Sequence, residues 1–349
     1  MAATTAERRP AWFALRHSSP SSGITALALG RVGHLGNAAE GPGRDRGWQP
    51  TPIVLLGKLC TAAEPAPARP VHSHSMANVT AGQSDLTRHP LNSSFDWIPL
   101  RPPFRRISES QAASYDSRGF FVMDQAFDAD CIRRVVAEID PFEQEFEEML
   151  RMQFDGKAFI ARADEITFTT HLAARSAFLR EFVSAPLFVD LCVDIIGPHV
   201  RLYWDQAVYK KPGTAASFPW HQDNGYAFVE PQQYLTCWIA LSDANEDNGC
   251  PWVVPGIHRM GTLHHDLTEI GLVCLDNPPG AVPVPVRSGD VVVFSSLTPH
   301  CTGPNNTAAV RKSYIVQYAP DGAEVIMTDP SRGTRRIPAD APDRQFQII

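Results

Sequence analysis

From Val200 onward the chain is written in short β-rich runs separated by Gly, Pro, Asn and Asp, with no helix-length segment between them. The runs are Arg201 to Lys210, Phe218 to Asp223, Tyr234 to Leu241, Trp252 to Val254, Ala281 to Val286, Val291 to Phe294 and Arg311 to Tyr318. β-Branched and aromatic side chains dominate them, as a pleated, half-buried surface requires. Strands without crossover helices do not make a parallel sheet; they fit a sandwich or jelly roll, in which two packed sheets limit the exposed edges. That architecture leaves a mouth between the sheets where a ligand can sit.

Helices are expected only upstream. Phe127-Asp128-Ala129-Asp130 reads as a helix start, followed by Ile132, Val135, Val136 and Ile139 at helical spacing, with a stop near Asp140-Pro141. A second helix is expected over Pro186 to Ile196, ended by Gly197-Pro198. The fold class is therefore mainly β with helical decorations, in one domain over residues 96–349. Residues 1–95 are crowded with Ala, Pro, Ser, Gly and Arg and show no sustained period, so they are expected to be a disordered or non-native extension. Acidic Glu7, Glu40, Asp45 and Glu64 argue against a transit peptide there, and Met76 is an alternative start.

The net charge is -7, so no basic surface advertises a nucleic-acid backbone or an anionic membrane as partner. No apolar run approaches the roughly 18 to 20 residues of a membrane helix. The seven cysteines, Cys60, Cys131, Cys192, Cys237, Cys250, Cys274 and Cys301, are scattered and never form C-x-x-C, which suggests neither a disulfide framework nor a zinc knuckle. A cytoplasmic location is the expectation. Oligomeric state is not readable.

Chemistry concentrates in Phe218-Pro219-Trp220-His221-Gln222-Asp223. On a strand, His221 and Asp223 would share one face and present two metal ligands of different type. A second His-x-Asp, His264-His265-Asp266, has the same spacing, so spacing alone does not choose. The chain between Asp223 and His300 accommodates the four or so strands that a jelly roll places between its ligand-bearing strands. The chain after Asp266 is shorter and interrupted by Pro278-Pro279-Gly280, so His264 to Asp266 is read as a loop without a catalytic role. Two imidazoles and one carboxylate make the facial triad of non-haem Fe(II) oxygenases, with positions left open for co-substrate and oxygen. Arg311, eleven residues past His300 on the next expected strand, offers a planar fork to a carboxylate, and Thr302 can add a hydroxyl.

The run from Tyr203 to Tyr318 resembles the phytanoyl-CoA dioxygenase family of Fe(II)- and 2-oxoglutarate-dependent oxygenases. The resemblance is carried by Asp205 to Pro212, Trp220-His221-Gln222-Asp223, Trp238 to Asp243, Asn248 to His258 and the His300 to Arg311 spacing. It implies a double-stranded β-helix of the jelly-roll, cupin-like kind, with His221, Asp223 and His300 as iron ligands. Arg311 would bind the distal carboxylate of 2-oxoglutarate with Thr302 assisting, Gln206 would lie on a strand lining that pocket, and Trp238 would pack near it. His258 would be structural. The implied reaction consumes O2, hydroxylates an unactivated C–H bond of a small organic substrate and releases succinate and CO2. Asp223 fills the place that halogenating relatives of the fold leave to a small residue, which points to hydroxylation.

Two other functions fit the same fold: a 2-oxoglutarate-independent cupin-like metalloenzyme, and a binding module that has lost catalysis. An acyl-CoA substrate would want cations for its phosphates, for which Lys210-Lys211 and Arg105-Arg106 are the neighbouring basic pairs, unless both are solvated surface. The chain ends Gln347-Ile348-Ile349, unlike a peroxisomal Ser-Lys-Leu signal. The alternative substrates are a secondary metabolite or an amino-acid-like compound.

Overall fold

The computed structural model describes residues 86–329 and 331–349. Its contacts divide the chain into two units; the larger includes the described residues 86–326 and 336–349, and Met327–Arg335 belong to the smaller. The expectation of disorder for residues 1–85 lies outside the described residues. For residues 86–95 it is corrected: Asn92 is buried and its side-chain amide donates to the Met260 and Thr262 carbonyls, while Arg88 bridges to Leu263. These residues belong to the folded domain, because their backbone and amide groups are paired within it.

The first half supplies α1 (Glu109–Arg118), β1 (Phe120–Met123), α2 (Ala129–Gln153), β2 (Lys157–Ala158), β3 (Ala161–Arg162), β4 (Ile166–Thr170), α3 (Leu172–Arg175), α4 (Ala177–Val183) and α5 (Pro186–Ile195). Then follow β5 (Val200–Lys210), β6 (Phe218–His221), α6 (Asp223–Tyr226), β7 (Phe228–Glu230), β8 (Leu235–Ala240), β9 (Pro251–Val253), β10 (Asp266–Thr268), β11 (Gly271–Val273) and β12 (Val282–Pro283). The chain ends with β13 (Val291–Ser295), β14 (His300–Thr302), β15 (Arg311–Pro320), β16 (Glu324–Asp329), β17 (Gly333–Pro338) and β18 (Phe346–Gln347).

A nine-stranded sheet runs β1-β13-β8-β15-β5-β4-β3-β2, with β18 also on β5, and a four-stranded sheet runs β12-β9-β14-β6. Their pairings are antiparallel. This is the expected jelly roll. Strand alternation splits the large sheet's side chains into two cores. On one face Ala207, Tyr209, Cys237, Ile239, Val293, Tyr314 and Val316 pack with the helices' Val135, Leu179, Phe188 and Leu191. On the other, Phe168, Val208, Trp238, Phe294 and Ile315 pack with Val253 of the small sheet. The candidate site residues lie in this second, intersheet space.

Two local expectations are corrected. The helix expected to stop near Pro141 continues to Gln153, with the proline inside it. Pro141 frees only the Ala137 carbonyl, on an exposed residue, and the second half is anchored from outside. Asp140 takes Lys312 Nζ at 2.7 Å and the Tyr209 hydroxyl at 2.7 Å, and Lys211 Nζ reaches Glu143 at 2.7 Å and Glu147 at 2.9 Å. The run expected over Ala281 to Val286 forms only the two-residue β12 plus a bridge from Val286 to Ala244, because Pro283 and Pro285 cannot donate to a ladder.

The turn into β13 depends on Gly289, at φ +95, where an added Cβ would meet the Phe127 carbonyl oxygen at 2.3 Å. Gly322 has φ +88 with nothing within 4 Å. Gly289→Ala is expected to lower the unfolding free energy by more than the ~1–2 kcal/mol of left-handed backbone strain that Gly322→Ala shows. Denaturant titration of the two variants checks this; equal losses would mean the Phe127 approach yields freely.

Candidate metal and anion site

β6 and β14 are neighbours in the small sheet with His300 directly opposite His221, and their rings lie 4.1 Å apart. Each imidazole Nδ1 meets a backbone carbonyl two residues earlier, Pro219 O at 2.8 Å for His221 and Thr298 O at 3.0 Å for His300. A carbonyl only accepts, so Nδ1 carries the proton and the Nε2 lone pair is free on both rings. Asp223 Oδ1 lies 4.0 Å from His221 Nε2 and 3.8 Å from His300 Nε2. The three donor atoms fall within 4.8 Å of one another.

Asp223 does not reach this point as a strand residue. β6 ends at His221, and Asp223 opens the short α6, so a turn carries its carboxylate back toward the two rings. The opposite sheet holds it there: Thr236 Oγ1 donates to Oδ2 at 2.6 Å, and the Gln317 side chain donates as well. Burial raises the carboxyl of Asp223, opposed by His300, Thr236 and Gln317. Burial, then the proximity of His300, holds His221 well below the ordinary imidazole range and so in its neutral, ligating form. Two free lone pairs and one carboxylate oxygen, each oriented by a partner on its far atom, fit a divalent cation.

Gln222, between the two ligand candidates, is fully buried. Its side chain donates to the Gly261 and Leu297 carbonyls and accepts from Leu263 N–H at 2.6 Å, while its own N–H donates to His265 Nε2 at 3.0 Å. Thr236 and Gln317 carried no sequence signal, and Gln222 and His265 stood inside the quoted motifs without a role of their own, since these roles exist only across strands distant in sequence. Of the second His-x-Asp, His264 and Asp266 form an exposed pair at 3.3 Å, and the expected loop becomes β10 from Asp266.

Arg311 lies on the intersheet face of β15, in line with Ser313, Ile315 and Gln317. It is 1% exposed. Nη1 donates to Ser313 Oγ at 2.7 Å and weakly to Val208 O at 3.4 Å, whereas Nε and Nη2 are buried without a partner among the described residues. Two adjacent unsatisfied donors on a buried guanidinium are costly unless an acceptor with two oxygens belongs there, and a carboxylate matches that fork. Trp238 is buried beside it, its ring 5.4 Å from the guanidinium carbon. Thr302, on the same face of β14 as His300, has its Oγ1 3.4 Å from Lys210 Nζ. Gln206 shares this face of β5 but its amide oxygen accepts from Trp204 Nε1 at 3.1 Å. His258 is fully buried, with Nε2 3.2 Å from the Asp116 carbonyl.

The profile of the phytanoyl-CoA dioxygenase (PhyH) family matches residues 115–313. A methylphosphonate hydroxylase of Gimesia maris is 31% identical over 155 residues, which are 43% of this chain and 57% of that protein. Phytanoyl-CoA dioxygenase 1 of Oryza sativa is 34% identical over 25% of this chain and 33% of its own length. The chain thus spans about half or less of these two curated relatives. An ectoine dioxygenase of Bordetella bronchiseptica is 25% identical over 68% of this chain and 83% of that protein. Among solved structures, EctD from S. alaskensis with 2-oxoglutarate and 5-hydroxyectoine superposes with a TM-score of 0.53 at 18% identity, covering 69% of this chain and 85% of that one. The α-ketoglutarate-dependent carbocyclase SnoK gives 0.52 at 22% identity, with 63% and 86% covered. These likenesses establish the fold.

If Thr236 fixes the Asp223 carboxylate, Thr236→Val, which keeps the shape and removes the hydroxyl, weakens divalent-metal affinity about 10- to 100-fold. Metal titration followed by calorimetry checks this; unchanged affinity would mean Gln317 orients the carboxylate unaided.

Proposed function

The chain belongs to the phytanoyl-CoA dioxygenase (PhyH) family, and on that basis we propose that it is a non-haem Fe(II)- and 2-oxoglutarate-dependent dioxygenase hydroxylating a small organic substrate. One observation carries the reading: a convergent His-Asp-His donor set shares an intersheet space with a buried arginine fork that lacks an acceptor. In this reading His221, Asp223 and His300 hold Fe(II). Arg311, with Thr302 assisting, binds the distal carboxylate of the co-substrate. The bound metal and 2-oxo acid supply the oxidation, in which O2 gives one oxygen atom to the substrate and the other to succinate, with release of CO2.

The protein's own contribution is position and dryness. The carbonyls of Pro219 and Thr298 fix both imidazole tautomers, and Thr236 with Gln317 fixes the carboxylate. Phe294, 4.6 Å from the His300 ring, and Phe218, 4.9 Å from the His221 ring, exclude water from one side of the donor set. Gln206 and Trp238 belong to the walls of the co-substrate pocket, Trp238 as a flat support for Arg311. The carboxylate at position 223 supports hydroxylation.

A small metabolite is the substrate we favour over a CoA thioester. Of the basic residues considered for CoA phosphates, Lys210 is buried, Lys211 is ion-paired with Glu143 and Glu147, and Arg105 approaches Asp190 at 4.0 Å. A cytoplasmic location is part of this proposal; no helix of the described residues is long and apolar enough to cross a membrane.

Anaerobic protein loaded with Fe(II) is expected to develop a weak visible charge-transfer band on titration with 2-oxoglutarate, and aerobic turnover to release succinate. No band with iron bound would favour a 2-oxoglutarate-independent metalloenzyme; loss of metal binding altogether would favour a non-catalytic module. Arg311→Ala is expected to raise the apparent 2-oxoglutarate requirement about 10- to 100-fold, the worth of a charge-assisted hydrogen bond, with iron still bound. His221→Ala or Asp223→Ala abolishes turnover while circular dichroism shows the fold retained; an active variant would mean another donor set serves.

A further inference from the structure

Lys210 was expected to be half of a basic pair near the surface, yet it is fully buried. Alternation along β5 turns Lys210 and Lys211 to opposite sides. Lys211 goes to the two glutamates of α2, and Lys210 goes into the intersheet space beside Arg311, its direct cross-strand partner. Directly opposite positions on adjacent strands have Cβ atoms about 5 Å apart, so two cations are set side by side where like charges ordinarily destabilise.

Neither cation has a carboxylate partner among the described residues. Lys210 Nζ donates only to neutral oxygens: Gly303 O at 2.5 Å, Ala216 O at 3.3 Å, and Thr302 O and Oγ1 each at 3.4 Å. Arg311 has only Ser313 Oγ and Val208 O, with two N–H groups left over. Buried charges persist when paired, and two adjacent ones facing the same space point to an anion bound between them. Thr302 joins the two halves of the argument, because its hydroxyl touches Lys210 and it lies two residues beyond His300 on the same face.

We propose that Lys210 is a second cation for the distal carboxylate of the 2-oxo acid, acting with Arg311 to select dicarboxylate co-substrates. This rests on the oxygenase reading above. A purely structural lysine, tying the Gly303 and Ala216 carbonyls to β5, is the competing role, and the two differ in what the anion does to the ammonium.

Burial first, and Arg311 next, pull Lys210 down to about 7. The groups bearing on it are Arg311 from β15 and the Cys301 thiol from β14, itself pushed up by burial to about 12; β4 brings Ile166 opposite, and the 214–217 loop only the Ala216 carbonyl. A bound carboxylate favours the ammonium, so the folded protein takes up a proton when the co-substrate binds above pH 7. Affinity therefore falls as pH rises past that value in the native chain.

The test is calorimetry of the whole chain loaded with Fe(II) under anaerobic conditions, titrated with 2-oxoglutarate and with 2-oxobutyrate, which lacks the distal carboxylate. In the native protein at pH 8, repeating the titration in buffers of different ionisation enthalpy is expected to show uptake of a substantial fraction of one proton with 2-oxoglutarate and none with 2-oxobutyrate. Lys210→Met is expected to lose that uptake and to weaken 2-oxoglutarate about tenfold or more while 2-oxobutyrate is unchanged, and Lys210→Arg to restore the preference. A Lys210→Met protein whose preference between the two acids is intact overturns the proposal, and Lys210→Gln serves the same comparison if Lys210→Met fails to fold. If the native protein holds iron but does not distinguish the two acids, the reading of Arg311 fails and this one with it; a native preference that survives Lys210→Met removes only Lys210.

Discussion

The register of β14 between β6 and β9 is the constraint on which the site depends. It sets His300 opposite His221 on one side and opposite Val253 on the other. A slip of β14 by one residue would turn the His300 imidazole to the outside of the small sheet, away from His221, and bring Cys301 inward. The register is held by more than its own short ladder: the Gln222 side chain binds the carbonyls of Gly261 and Leu297, tying the turn after β6 to the segment leading into β14. The geometry of the donor set is therefore a consequence of buried amide satisfaction as much as of the donors themselves.

β5 shows how the same fold treats two buried charges differently. Asp205 turns toward the helical side and is fully buried, where burial raises it to about 6. Its carboxylate accepts from the Tyr314 hydroxyl at 2.8 Å and from Ala173 N–H at 3.0 Å, so that a charge in the helical core has donors from two elements. Lys210 and Arg311, on the other face, are left with neutral oxygens or with nothing. Asp205 keeps one unpartnered oxygen, Oδ1, inside the packed helical core, so an unsatisfied atom points to a ligand only where, as at Arg311, it faces the intersheet space.

What the sequence revealed and what it hid divide along the same line. The long strands were legible because period and composition are local properties, and β5, β8, β13 and β15 fall within a residue or two of the runs read for them. His221, Asp223 and His300 were legible because their chemistry is rare and their spacing suits the fold. The reason given for two of them was wrong: Asp223 lies on a helical turn, not on the strand face of His221. β1, four apolar residues, and β4, Ile166-Thr167-Phe168-Thr169-Thr170, escaped notice because runs so short fit either a strand or part of a helix until a neighbouring strand exists to pair with them. Pro141 misled because its helix is held by Lys211 and Lys312, whose positions depend on β5 and β15.

Lys210 and Lys211 carry the argument one step further. As letters they are interchangeable, and a count of charge makes them a basic patch. On a strand they are opposites: one side chain reaches two glutamates of a helix, the other enters the space that holds the arginine fork. Alternation alone separates them, once the end of the strand is known to lie inside the domain and not at its rim. A charged residue at the end of an apolar strand is thus worth reading by face before it is read by sign. The absence of an acidic partner on the inner face among the described residues is then what supports an anion as the occupant of that space.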